Sequence, residues 1–257
     1  MLLAIDVGNT QTQFGVFAAD GELQADWRLT TDRHRTADEM GLLSLSLLER
    51  LGLDSGRINH IVIASVVPPL QGALDRMAER YFEVEPLWVT AGLLDDLPVL
   101  YEPPQDVGAD RIVNAVAARD RYGVPAVVVD FGTATTFDVI DPDGAYLGGV
   151  IATGIGVSAD ALFARAARLP RVDVVEPLSV IGRNTVGSVQ SGLFWGYVEL
   201  VEGLLRRIVA ELGREPRVIA TGGWARTIGA ACSSIEIVDD LLTLNGLRLI
   251  WERHGQS

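Results

Sequence analysis

Two short segments of this 257-residue chain set a carboxylate two residues ahead of a glycine, with small hydroxyl and amide side chains close behind. The first is Asp6-Val7-Gly8-Asn9-Thr10-Gln11-Thr12-Gln13. The second is Asp130-Phe131-Gly132-Thr133-Ala134-Thr135-Thr136, at an offset of 124 from the first. Each follows an apolar run, Leu2 to Ile5 or Ala126 to Val129, and leads into another. That order reads as strand, tight turn, strand, with a carboxylate and a Gly-Asn or Gly-Thr pair at the tip. Glycine lets the backbone approach phosphate oxygens, Thr and Asn supply donors, and Asp can hold a hydrated cation. The chemistry is that of a clamp for a polyphosphate and its counterion. A single Asp-x-Gly turn needs no ligand at all, since both residues are common in turns; the matched pair is what points to a nucleotide.

Three further constellations each carry two readings. Gly108-Ala109-Asp110-Arg111 opens a helix. An Asp there complements the helix dipole, or it stands as a base for a substrate hydroxyl with Arg111 as an anion fork beside it. Thr221-Gly222-Gly223 follows a buried strand and reads as a loop, or as a third glycine-rich tip passing close to adenosine. Gly182-Arg183-Asn184-Thr185 precedes a helix whose start is rich in small residues. Capping and close packing explain it, as does a substrate hydrogen bond from Thr185.

The elements that must position these residues follow from periodicity. Strands are expected at about 2–6, 14–17 and 23–29, then a helix from the capping box Thr36-Ala-Asp-Glu39 to about Arg50. The leucines of that helix (42, 43, 45, 47, 48 and 51) spread round its surface, so it should be well buried. A buried strand at 60–66 ends in Pro68-Pro69, which suit the first turn of a helix to about 81. A short strand near 87–89 and a proline-bearing loop at 92–107 lead to a helix ending near 122. The second half repeats the order: strands at 127–130, 137–140 and 146–151, a helix at about 157–167, a linker at 170–177, a long helix at 187–212, a strand at 217–220 and a last helix at 243–253. This is a duplicated α/β arrangement with a cleft between its halves.

Composition removes other classes. All 21 basic residues are Arg, so no Schiff-base lysine and no P-loop lysine exist. The net charge is −13, with no cluster able to form the basic face a nucleic-acid binder needs. An acidic chain that holds phosphates must do so locally, through backbone N–H groups, a few Arg and bound cations. No apolar run approaches the roughly 20 residues that span a bilayer. The start, Met1-Leu-Leu-Ala-Ile-Asp6, reads as a core strand and not a signal peptide, which leads to the expectation of a cytoplasmic protein. The one cysteine, Cys232, is expected to be a small buried apolar residue, and the three histidines (34, 60 and 254) to serve surface or cap roles.

At these residues the chain resembles the type III pantothenate kinases, a branch of the acetate/sugar kinase–Hsp70–actin superfamily. The matching stretches are Asp6 to Thr10, Tyr101 with Pro104, Val107 to Arg111, Asp130 to Asp138, Gly148-Gly149 to Gly156, Arg168 to Pro170, Ile181 to Thr185, Gln190 to Gly192, Ala220 to Gly223 and Leu242 to Arg248. The resemblance implies duplicated ribonuclease H-like (actin-like ATPase) domains with the active site in the interdomain cleft. The division would be 1–115 and 116–257, with the last helix packing back on the first domain. It implies ATP-dependent phosphorylation of pantothenate to 4′-phosphopantothenate, the first step of coenzyme A biosynthesis. By position, Asp6, Val7, Gly8, Asn9, Thr10, Gln11, Thr12 and Gln13 would hold the ATP phosphates, with Asp6 reaching Mg²⁺ and Thr133 touching ATP. Asp110 would be the general base. Tyr101, Gly108, Ala109, Asp110, Arg111 and Thr185 would contact pantothenate. Asp130 would coordinate a monovalent cation, K⁺ or NH₄⁺. A homodimer is implied, with neither nucleic acid nor membrane as partner. Thr153, Trp224, Gln11 and Gln13 depart from the usual pattern without removing a proposed catalytic group. The rival readings are a ligand-binding regulator on the same fold and a phosphoryl enzyme with another acceptor.

Overall fold

A computed structural model of the chain describes residues 1–166 and 168–255. The chain divides into two compact units, Met1–Ala117 with Leu242–Ser257, and Ala118–Leu241.

The first unit begins with the meander β1 (Leu2–Val7), β2 (Gln11–Phe17) and β3 (Leu23–Thr30). Helix α1 (Ala37–Arg50) leads to β4 (His60–Ser65), α2 (Gln71–Phe82) leads to β5 (Leu87–Trp88), and α3 (Ala109–Tyr122) follows. The sheet order is β3-β2-β1-β4-β5, antiparallel through the meander and parallel across β1, β4 and β5. Strands β1 and β4 are buried along nearly their whole length, as expected for central strands covered on both faces. The capping box of α1 forms: Thr36 Oγ1 accepts from Glu39 N–H, and the Glu39 carboxylate accepts from Thr36 N–H.

The burial expected for α1 is corrected. Only Ala37, Met40, Gly41, Ser44 and Leu48 are buried, while Leu42, Leu43 and Leu51 are exposed. The helix packs on one face, and its surplus leucines follow no core-facing stripe.

The second unit repeats the plan with β6 (Ala126–Phe131), β7 (Ala134–Ile140) and β8 (Tyr146–Thr153), then α4 (Ile155–Arg165), α5 (Thr185–Leu212), β9 (Arg217–Thr221) and the two-residue β10 (Ile237–Val238). Its order, β10-β9-β6-β7-β8, is the first sheet's order in the corresponding strands. The helix expected over 157–167 runs over Ile155–Arg165, and position 167 lies outside the described residues. The linker expected at 170–177 is part of a longer segment without helix or strand that reaches Asn184, and Val174 within it is buried in the core cluster that also includes residues of α5. The two-residue β10 is an element not anticipated from the sequence. Helix α6 (Leu242–His254) belongs with the first unit, where a leucine of α6 meets β2 at Gly15 and Gly246 seats against Val113 of α3.

Among the described residues no helix is long and apolar enough to cross a membrane. Cys232 is buried and its thiol pKa is pushed up to about 12, first by desolvation and then by Glu202 and Glu199, so it behaves as a core residue. His34 is exposed, His60 packs at a tilt on Trp251 with ring centroids 4.5 Å apart, and His254 Nε2 lies 3.7 Å from Asp96.

Candidate active site

In the first unit, β1 runs into the turn at Gly8 and returns along β2, with Asp6 opposite Gln13 and Val7 opposite Thr12. Gly8 N–H donates to Gln11 O at 3.0 Å, closing a four-residue connection. Directly opposed residues of an antiparallel pair share a face, so the Asp6 carboxylate and the Gln13 amide stand side by side. Gln13 Nε2 is buried without a hydrogen-bond partner among the described residues. A buried donor beside a carboxylate at a glycine turn suits an anionic oxygen accompanied by a cation.

The loop after β3 braces this turn. Thr31 N–H donates to Thr10 O at 2.9 Å, Thr31 Oγ1 donates to Gly8 O at 2.8 Å, and the Thr31 and Thr12 hydroxyls are 2.9 Å apart. Beyond it, Arg33 Nη2 donates to Asn9 Oδ1 at 3.3 Å. Neither Thr31 nor Arg33 is marked by a local motif. The register of β2 on β3, Gln11 opposite Thr30, brings them to the turn from more than twenty residues away.

The start of α3 reaches the same end of this sheet. Val66 N–H, just past β4, donates to Val7 O at 3.1 Å. A Cβ on Gly108 would lie 3.4 Å from Val66 Cγ1 and 2.5 Å from Asp110 Oδ1. Only glycine allows the Asp110 carboxylate to fold back over the helix start in this way. Asp110 Oδ1 accepts from Arg111 N–H at 2.8 Å. Desolvation raises the Asp110 pKa above the ordinary carboxylate value, against the lowering pull of that N–H and of the Arg111 guanidinium. Arg111 is itself buried, at 7% exposure. One turn further along α3, Asn114 Oδ1 accepts from Thr243 Oγ1 of α6 at 2.8 Å. Tyr101 is half-buried in the irregular stretch ahead of α3.

The second unit holds the other candidates. Asp130 stands opposite Thr136 on β7 and Thr221 on β9. The turn after it is one residue shorter than the first, with Gly132 N–H donating to Ala134 O at 3.0 Å. Thr133 is exposed at the tip, and its carbonyl accepts from Gly154 N–H at 3.1 Å. Gly222 has φ +90°, and a Cβ there would lie 2.5 Å from Asp130 Oδ1 and 2.7 Å from Phe131 N. Gly222 is therefore needed where the tip presses on the Asp130 strand, while a Cβ on Gly223 would meet open space. Asp138 is fully buried, accepting from Tyr146 OH at 2.8 Å and Thr136 Oγ1 at 3.0 Å, a structural role.

Thr185 opens α5 beside Asn184, whose Oδ1 accepts from Gly187 N–H at 2.8 Å. Gly182, Arg183, Asn184, Thr185 and Ser188, together with Leu162 of α4, line a cavity of about 690 Å³. The candidates thus fall into two groups. Asp6 to Gln13, Gly108, Ala109, Asp110 and Arg111 share one end of the first sheet, while Asp130, Thr133 and Thr185 lie in the second unit. Among the described residues no three His, Cys, Asp or Glu side chains gather closely enough to hold a metal.

Comparison with known proteins gives four matches. The sequence model of the type III pantothenate kinase family matches residues 2–207. A type III pantothenate kinase of Koribacter versatilis (strain Ellin345) is 53% identical, over all of this chain and 97% of the relative. Among solved structures, a Campylobacter jejuni protein described as a Baf family transcriptional activator superposes with a TM-score of 0.63 at 21% identity, over 99% of this chain and 100% of its own. The activator of the 2-hydroxyisocaproyl-CoA dehydratase of Clostridium difficile, solved with bound ADPNP, gives 0.56 at 15% identity, over 100% and 97%. These two structural likenesses establish the fold.

Proposed function

The chain belongs to the type III pantothenate kinase family, and from that premise we propose how its own residues perform the ATP-dependent phosphorylation of pantothenate in coenzyme A biosynthesis. The observation that carries the proposal is the pairing at one end of the first sheet. A glycine turn with the Asp6 carboxylate and an unsatisfied Gln13 donor stands there with the desolvated carboxylate of Asp110.

In this reading the segment from Asp6 to Gln13 holds the ATP phosphates through backbone N–H groups and the Asn9, Thr10, Thr12 and Gln13 side chains. Thr133 adds a contact to ATP. Asp6 and Asp130 are the carboxylates for Mg²⁺ and for a monovalent cation, K⁺ or NH₄⁺. With no cluster of three ligating side chains among the described residues, a divalent ion would draw its remaining ligands from phosphate and water. When bound, such ions neutralise charge on the transferring group.

Pantothenate is held by Tyr101, Gly108, Ala109, Arg111 and Thr185. The buried Arg111 guanidinium is suited to a bidentate grip on the substrate carboxylate. Asp110 accepts the proton of the primary hydroxyl as its oxygen bonds to the γ-phosphorus. The bond to the β–γ bridging oxygen breaks and ADP leaves. Desolvation favours this role because it raises the affinity of the carboxylate for that proton. Since phosphoryl transfer has a loose transition state, most of the acceleration comes from positioning and electrostatics.

The active form is a cytoplasmic homodimer in this reading. The segment ahead of α5 and the first turn of that helix expose Leu178, Val180, Ile181 and Val186, which a second copy would cover.

The test is ADP release from MgATP with and without pantothenate, in potassium and in sodium buffer. Pantothenate-dependent release stimulated by potassium is expected. Equal rates in both buffers would remove the monovalent cation and its Asp130 site, and release without pantothenate would point to another acceptor.

A further inference from the structure

The first turn has a charge problem. From Asp6 to Gln13 the only charged side chain is the Asp6 carboxylate. Every side-chain donor in the segment is neutral, and the chain has no lysine to reach in from elsewhere. Within this segment a bound triphosphate meets one negative side chain and no positive one, on a protein whose net charge is −13. Neutral hydrogen bonds to a phosphate are weaker than charge-assisted ones, so an oxyanion site of this kind ordinarily recruits a guanidinium or ammonium.

Among the described residues the Arg33 guanidinium is hydrogen-bonded to this turn. Thr31 fixes the loop after β3 to Gly8 and Thr10 by two hydrogen bonds. Asp32 then folds that loop over: its Oδ1 accepts from His34 N–H at 2.9 Å, and its carbonyl accepts from Arg35 N–H at 3.1 Å. Arg33 sits at the tip of this fold, exposed, with Nη2 bonded to Asn9 Oδ1 at 3.3 Å. That bond is single and long, to a neutral partner, and leaves the other donors of the fork available to water. Arg33 is thus held beside the phosphate turn by a contact that a phosphate oxygen would outcompete.

We propose that Arg33 is the cationic phosphate-binding residue of this enzyme, exchanging its bond to Asn9 for the polyphosphate of a nucleoside triphosphate. The assignment rests on the reading that the Asp6 to Gln13 turn holds the ATP phosphates. It accounts for a turn in which Gln13 is neutral and makes Arg33 a determinant of nucleotide affinity and not of pantothenate affinity.

The test is calorimetric titration of MgATP and, separately, of pantothenate into the wild-type protein and the Arg33→Gln, Arg33→Lys and Gly8→Val variants, at two salt concentrations. Arg33 is exposed, so its variants should fold as the wild type does, which a thermal melt confirms. Arg33→Gln should weaken MgATP about tenfold, the scale of one lost charge-assisted hydrogen bond, with pantothenate unchanged. Its affinity should also depend less steeply on salt, and Arg33→Lys should recover part of the loss. Gly8→Val should abolish MgATP binding. If Gly8→Val loses MgATP and Arg33→Gln binds it within twofold of wild type, Arg33 has no such role although the turn does. If Gly8→Val, folded, binds MgATP normally, the turn does not hold the phosphates and the assignment falls with it.

Discussion

Asp110 shows how one side chain's surroundings set its chemistry. Its carboxylate is turned back over the first turn of α3, into space that a Cβ on Gly108 would occupy, and desolvation raises its pKa despite a donor from Arg111 N–H. Asp110→Asn keeps the shape and the acceptor for that N–H. It is expected to fold and to lose about two orders of magnitude in kcat or more, as for a lost general base; steady-state kinetics with near-normal turnover would remove Asp110 from the role. The sign of the shift makes a second demand. The folded carboxyl holds its proton more tightly than the unfolded one, so stability is fully present below the unfolded pKa and is lost as pH rises through the folded pKa. Toward neutral pH this carboxyl therefore costs stability, and Asp110→Asn should melt no lower than wild type. The acid limb of kcat/KM should lie above the ordinary carboxylate range of about 4 and vanish in the variant's residual activity.

At the scale of elements, the two hairpins are alike but not superimposable at a fixed offset. The sequence spacing of 124 matches Asp6 to Asp130 and Gly8 to Gly132, yet the ladder pairs Gln13 with Asp6 and Thr136 with Asp130. The offset drops by one across the turn because the first connection is a residue longer. Turn length sets register in a hairpin, so this slip decides that Gln13 and not Thr12 shares the face of Asp6. Helix α6 packs on α3. Gly246 faces Val113, and a Cβ there would run into Val113 O and lie 2.7 Å from Val113 Cγ1. Gly246→Ala should cost about 2 kcal/mol, within the range for overpacking, whereas Gly203→Ala in α5, where the nearest atoms are flexible arginine tips at 3.8 Å or beyond, should gain about 1 kcal/mol in helix propensity. Urea denaturation of both variants checks this; a Gly246→Ala midpoint equal to wild type would mean that α6 yields without cost.

At the scale of the whole molecule, an acidic chain without lysine must meet phosphate with backbone donors, arginine and cations, which is why potassium dependence and Arg33 are both sharp tests. The same scale governs assembly. Leu178, Val180 and Ile181 are 109%, 64% and 79% exposed, although the backbone around them is held by Ser191 Oγ donating to Val180 O at 2.6 Å. An ordered apolar segment open to water is the face that the proposed homodimer would cover. The double variant Val180→Asp, Ile181→Asp should keep the wild-type circular dichroism and sediment as a monomer where the wild type sediments as a dimer. A wild type that is itself monomeric at micromolar concentration would sink the homodimer.

The sequence by itself determined the local pieces: the strands that end in Asp-x-Gly turns, the capping box of α1, the exclusion of lysine chemistry and the motifs that mark the family. These are properties of neighbours along the chain, and short-range sterics and hydrogen bonding suffice to specify them. It misjudged α1, whose leucines outnumber the places a single packed face can take. Only the tertiary structure decided that Thr31 and Arg33 stand at the first turn, that Gly222 presses on Asp130 and that Gly246 seats α6 on α3. Each of those contacts joins residues far apart in sequence through strand register or helix packing, and no local pattern encodes which distant partner a side chain will meet.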